Sequence, residues 1–171
     1  MPPLYTASVP AARAALARAL GLCARIGQSG GPDALLAARL APGMFDCAGQ
    51  LRCVAGFALC ATFPLTGQPL PEPPHAPGLA GLVARMDQAD AAIAALSPDA
   101  FANATTRIVR HRAGMADLAQ TGSDYLHLFA LPNLWFHLSM AYAILRAQGL
   151  PLGKADLDGL HHYPPGFHWP N

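Results

Sequence analysis

The chain has 171 residues, of which 53% are hydrophobic and 12% charged, with a formal net charge of +1. That length supports one core of ordinary size and not two. So weak and balanced a charge offers no field to attract nucleic acid or an anionic membrane, and it leaves a surface that self-association covers easily.

A first helix is expected over residues 8–28. Ser8 is placed as N-cap and Pro10 in the first turn, where a missing N–H costs nothing. Val9, Ala12, Leu16, Leu20 and Cys23 recur at three- and four-residue spacing, with Arg18 and Arg25 opposite, until Gly27-Gln28-Ser29-Gly30-Gly31 breaks the pattern. Pro32 and Asp33 open a short helix to Leu40, which Ala41-Pro42-Gly43 interrupts. The next helix is expected over residues 44–62, with Met44, Cys47, Leu51, Val54 and Ala58 as its core stripe and Asp46 and Gln50 one turn apart beside it. Residues 64–77 hold six prolines and read as an extended connection. A third long helix follows over residues 78–96, facing inward through Leu79, Leu82, Met86, Ile93 and Leu96. The β-branched run Thr105-Thr106-Arg107-Ile108-Val109-Arg110 and the turn Ala113-Gly114 then predict a small hairpin. The last long helix is capped by Thr121 or Ser123, ends near Gln148-Gly149, and should kink at Pro132. These elements make an all-α four-helix bundle with long connections and a β-hairpin between its third and fourth helices, spanning residues 1–157, with a tail at 158–171.

Residues 125–145 contain no Asp, Glu, Lys or Arg. The span is about the ~20 residues a bilayer requires. Pro132, Asn133, His127 and His137 are costly in hydrocarbon, so a central bundle helix is expected and no membrane partner. Asn133 and His137 lie four residues apart and share a helix face with Leu126, Ala130, Ala141 and Ile144. An imidazole so placed can ligate a metal, act as a base or hydrogen-bond across the bundle. Cys23, Cys47, Cys53 and Cys60 contain no C-x-x-C pair and read as structural thiols of a reducing compartment. With Arg13, Arg18 and Arg25 interrupting every apolar run near the N-terminus, a cytoplasmic location is expected. Arg107, Arg110, His111 and Arg112 read as a solvated basic face without an aromatic platform, so no nucleic acid is expected. Ser123 and Ser139 have no histidine–acid partner at useful spacing, and no catalytic triad is expected.

Several stretches are familiar together: Leu4-Tyr5, Ala38-Arg39-Leu40-Ala41-Pro42-Gly43-Met44-Phe45, Thr121-Gly122-Ser123-Asp124-Tyr125, Leu131-Pro132-Asn133 with Phe136-His137, and Gly149-Leu150-Pro151-Leu152-Gly153-Lys154. On these the chain resembles a bacterial family catalogued as domain of unknown function nineteen ninety-three, a branch of the DinB-like four-helix bundles. The resemblance implies a bundle in which many superfamily members hold a divalent ion through one helix-two histidine and an H-x-x-x-H pair, some acting as thiol-dependent transferases or isomerases. Carried over, the three positions become Gln50, Asn133 and His137, so a single imidazole is kept. Neutral amides are weak donors for zinc or nickel, and neither a metal nor another cofactor is expected. Asp46 or the tail histidines His161, His162 and His168 could stand in as ligands in the alternative, a metal-dependent thiol transferase-like enzyme. The preferred expectation is a non-catalytic homodimer in which Gln50, Asn133 and His137 bond one another, or face a small-molecule ligand in a cleft lined with Tyr125, Phe129 and Trp135.

Overall fold

The computed structural model describes residues 1–72, 76–164 and 167. Its helices are α1 (Pro3–Gly27), α2 (Pro32–Ala37), α3 (Cys47–Cys60), α4 (Phe63–Thr66), α5 (Gly78–Ala94), α6 (Gly122–Asp124), α7 (Leu131–Ala147) and α8 (Lys154–Asp158). Strands β1 (Ile108–Ala113) and β2 (Ala116–Thr121) lie between α5 and α6. A π-helical segment, Tyr125–Ala130, joins α6 to α7, so that one continuous helix runs from Gly122 to Ala147. The four long helices enclose a core in which Leu16, Leu22, Leu51, Leu59, Met86, Ile93, Leu126 and Leu134 are fully buried. Helix α3 packs most extensively on α7, and α1 and α5 close the other side.

The first helix starts five residues before the expected N-cap. Pro2 is extended (φ −57°, ψ 135°), and Pro3 occupies the first turn, where no N–H is required. Ser8 is therefore buried inside the helix, and its hydroxyl donates to the Leu4 carbonyl at 2.6 Å. In the short run to α2, the expected helix stops at Ala37 rather than Leu40, where Ala38 turns extended. Asp46 caps α3, its Oδ1 accepting the Gly49 N–H at 2.7 Å, which moves that helix start from Met44 to Cys47. The proline-rich connection begins with one more helical turn, α4, because Leu65 is buried there; Gly67 ends it at φ 76°.

The hairpin pairs Ile108 with Thr121 and Ala113 with Ala116 around Gly114-Met115, with Gly114 at φ +60° in the first central position, as a type II′ turn needs. Where the hairpin meets the last helix, Thr121 caps it by accepting the Asp124 N–H. There the Gly122 N–H donates to the Arg107 carbonyl at 2.7 Å, and a Cβ at Gly122 would stand 1.9 Å from the Ala104 oxygen. Two helical stretches, Cys47–Thr66 and Gly122–Ala147, are long and apolar enough to cross a membrane by length and composition, and 61% and 39% of their apolar windows are buried within the bundle.

Candidate functional site

The contact between α3 and α7 brings Gln50 and His137 together. Both side chains are buried, and His137 Nδ1 lies 2.7 Å from Gln50 Oε1. An amide oxygen only accepts, so the ring donates from Nδ1 and keeps its lone pair on Nε2. Three phenyl rings surround the imidazole: Phe57 stacks on it at 5.3 Å and 20°, Phe136 meets it edge-on at 5.1 Å and 78°, and Phe45 lies at 6.5 Å. Burial among them lowers the His137 pKa and holds the ring neutral at pH 7.

Asn133 does not join this pair. Its amide donates instead to the Phe129 carbonyl at 2.7 Å. One residue earlier, Pro132 has no N–H, so the Leu128 carbonyl one turn back loses its helical donor. The chain answers with a π register, in which the Leu131 N–H reaches the Leu126 carbonyl five residues back. Side chains supply further donors there, Asn133 to Phe129 and the His127 ring, through Nδ1, to the Ser123 carbonyl at 2.8 Å. The expected kink thus takes the form of a π segment, and the expected three-way amide–imidazole network is a two-way bond.

Nor do the other expected pocket residues converge on His137. Tyr125 is buried against His111 (4.9 Å) and Phe129 (5.6 Å), with its hydroxyl hydrogen-bonded to the Cys60 thiol. Burial pushes the pKa of both groups up. Trp135 points outward, 39% exposed, because the helical turn that buries His137 carries residue 135 to the solvent side. Phe129 sits between the two groups, 4.2 Å from His111 and 5.7 Å from Phe57, so a row of rings links the hairpin to His137. His111 accordingly faces inward, with Nε2 at 2.7 Å from Gln120 Oε1, and leaves the expected solvated basic face. The sequence reading missed Phe57; seven residues after Gln50 on α3, it returns to the same face, and that spacing was the available signal.

A divalent ion does not fit this donor set. Gln50 is committed to the ring and Asn133 to a backbone carbonyl. Asp46 caps α3 and has Arg39 and Arg52 within 3.7 and 3.8 Å. His161 is bonded to Asp158, and His168 lies outside the described residues. Among the described residues no three His, Cys, Asp or Glu side chains lie together in a way that could hold a metal.

Against this geometry, the model of the family described as Domain of unknown function (DUF1993) matches residues 4–157. The crystal structure of a DinB family member protein from Shewanella denitrificans is similar over 94% of each chain, at 28% identity and a TM-score of 0.81. No curated protein matches the chain.

Proposed function

From the premise that the chain belongs to the DUF1993 family, and with a DinB family member sharing its fold, we propose that it is a non-catalytic bundle protein with a degenerate metal site. In this reading the superfamily's ion position has become a hydrogen bond, and the protein serves as a homodimer that binds a small organic ligand. The observation that carries the reading is the 2.7 Å bond between His137 and Gln50, which commits one imidazole nitrogen and the Gln50 amide oxygen to each other. A retained catalytic ion would need at least three protein donors, and Asn133 and Asp46 are both engaged elsewhere.

The dimer is supported by the outer face of the last helix. Leu128, Trp135 and Phe136 are 69%, 39% and 49% exposed there, with Phe45 beside them at 60%. The same stretch has no charged residue, so a second copy laid on it would meet no like-charge repulsion. The four cysteines are free thiols, which suits a cytoplasmic setting.

Elemental analysis of protein purified without a histidine tag tests the metal half of the reading. Less than about a tenth of an equivalent of bound ion, unchanged in His137→Ala, is the expected result; near-stoichiometric metal that disappears in that variant would overturn it. Light scattering at micromolar concentration tests the dimer. The mass should be that of two chains, and Leu128→Glu should reduce it to one.

A further inference from the structure

The hairpin is anchored at its root and open toward its tip. Val109 is buried, and His111 packs on Tyr125 and Phe129 while its Nε2 donates to Gln120 Oε1. Beyond these residues the anchoring stops. Residues 116–119 of β2 are all exposed, Leu118 at 39%, and Met115 in the turn is 87% exposed. Among the described residues β2 pairs with β1 alone.

An exposed strand edge is a template for pairing, and proteins ordinarily blunt it with charge, proline or a covering element. Strand β1 carries Arg110 and Arg112. Strand β2, Ala116-Asp117-Leu118-Ala119-Gln120-Thr121, has no Lys, Arg or Pro, and its Asp117 lies 3.5 Å from Arg112. The register fixes which backbone groups face outward. Ala113–Ala116, His111–Leu118 and Val109–Gln120 are the hydrogen-bonded pairs, so Asp117 and Ala119 turn their N–H and C=O away from β1, as Arg110 and Arg112 do on the other edge.

Charge decides which edge can pair with its own copy. In the two registers that overlap β1 most fully with a second β1, Arg110 stands opposite Arg110 or Arg112, and like charges directly opposite destabilise a sheet. The equivalent registers of β2 set Asp117 opposite Ala119 or Thr121, with no like charges facing. The first of these also sets Leu118 against Leu118, in a non-hydrogen-bonded pair where side chains come closest. The second sets Leu118 against Gln120, whose oxygen His111 holds. Joining β1 to the β2 of another copy would leave the same two edges open again and would not close.

We propose that β2 pairs antiparallel with β2 of a second copy, Asp117 opposite Ala119 and Leu118 at the two-fold axis, in a continuous sheet of both hairpins. This inference rests on the homodimer of the proposed function and adds a second contact to it. An axis perpendicular to the sheet keeps both bundles on one face of it, side by side. Strand β2 runs directly into the helix that carries Leu128, so the strand edge and the outer helix face belong to one interface. Each Asp117–Ala119 pair exchanges two hydrogen bonds across the junction, which is β-augmentation by a second copy.

Sedimentation velocity on the full chain and its variants gives the dimer dissociation constant. Ala119→Pro should weaken the dimer at least about tenfold, and it spares the hairpin because the lost N–H points away from β1. Leu118→Lys and Leu118→Glu should each weaken it about fivefold or more, while an equal mixture of the two should associate about fivefold more tightly than either alone, lysine then facing glutamate across the axis. Hydrogen exchange followed by NMR supplies a readout by residue. The Asp117 and Ala119 amides should be protected well above the dissociation constant and exchange freely well below it, whereas Leu118 and Gln120 are protected by β1 at both concentrations. Free exchange at Ala119 in a fully dimeric sample, or dissociation constants within about twofold of the parent for all three variants, would overturn the pairing and leave a dimer formed by the helix face alone. A parent chain that stays monomeric at about 100 μM defeats the dimer itself, and the strand pairing with it.

Discussion

Replacing Gln50 with Leu should reveal what the His137 bond contributes. The substitution leaves a buried Nδ1–H without an acceptor, and an orphaned buried donor costs about 1–3 kcal/mol. His137→Phe produces the mirror defect, an amide buried to 2% exposure with no partner. The double variant removes both polar groups and should cost much less than the sum of the two singles. Urea melts followed by circular dichroism would then give a coupling energy of about 1–3 kcal/mol, and in thermal melts each single should lower Tm by about 2–4 °C per kcal/mol. The pH dependence supplies a second measure. Burial lowers the His137 pKa below its usual 6.5, so in the window beneath 6.5 the unfolded chain binds a proton that the folded chain refuses. Stability from this group is complete above about pH 6.5 and is lost as pH falls toward the lower folded value. His137→Phe should flatten that part of the profile. Additive single costs, together with a pH profile unaffected by the substitution, would refute the buried hydrogen-bonded pair.

The π segment makes a similar claim on Asn133. Asn133→Ala should cost about 1 kcal/mol by removing the side-chain donor to the Phe129 carbonyl, and the penalty should persist in a Pro132→Ala background, where the returning N–H faces the Leu128 carbonyl one turn back and not Phe129. A penalty that shrinks markedly in that background would show that Asn133 answers the missing proline donor after all. Gly122→Ala must displace the Ala104 carbonyl or break the bond to Arg107, for a loss of about 1–3 kcal/mol in denaturant melts, and a change below about 0.5 kcal/mol would contradict the close approach. Cys23 and Cys47 are pushed up to about 12 by burial, so iodoacetamide at pH 8 should leave them intact in the native protein and alkylate them in urea. Labelling of these two at similar rates in both conditions would show that they are not buried.

The bundle was legible because its helices depend on apolar periodicity. The stripe Cys47, Leu51, Val54 and Ala58 is buried as a set, and the hairpin turn falls at the expected glycine. Helix ends were less so, because Ser8 has the composition of a cap and yet lies inside a helix that Pro2-Pro3 starts earlier. In the site, spacing located Gln50 and His137 on facing helices and could not assign their bonding. Asn133 shares a face with His137, but its amide bonds back to a carbonyl of its own helix beside the π segment, which periodicity does not encode. Trp135 shows the same limit, since membership of an apolar stretch does not say which side is covered.

The sharpest separation of a degenerate metal site from an unrelated polar pair is to rebuild the donors. Gln50→His places an imidazole on α3 opposite His137, and Asn133→His restores the i, i+4 pair on α7. If these positions correspond to the superfamily's ligands, the double variant should take up about one equivalent of zinc, with three nitrogens about 2.0–2.1 Å from the ion. Without metal it should be less stable than the parent by at least the Asn133→Ala cost, since the Phe129 carbonyl loses its donor and no amide oxygen accepts from His137 Nδ1. Bound zinc should repay this through its affinity for the folded chain alone, raising Tm as its free concentration rises. Adding Pro132→Ala should improve apo stability without changing the stoichiometry, because it repairs only the backbone. Failure of the double variant to bind zinc, with its fold intact by circular dichroism, would mean that Gln50 and Asn133 do not stand in ligand positions, and that the His137 bond is an ordinary bridge between α3 and α7 rather than the relic of a metal centre.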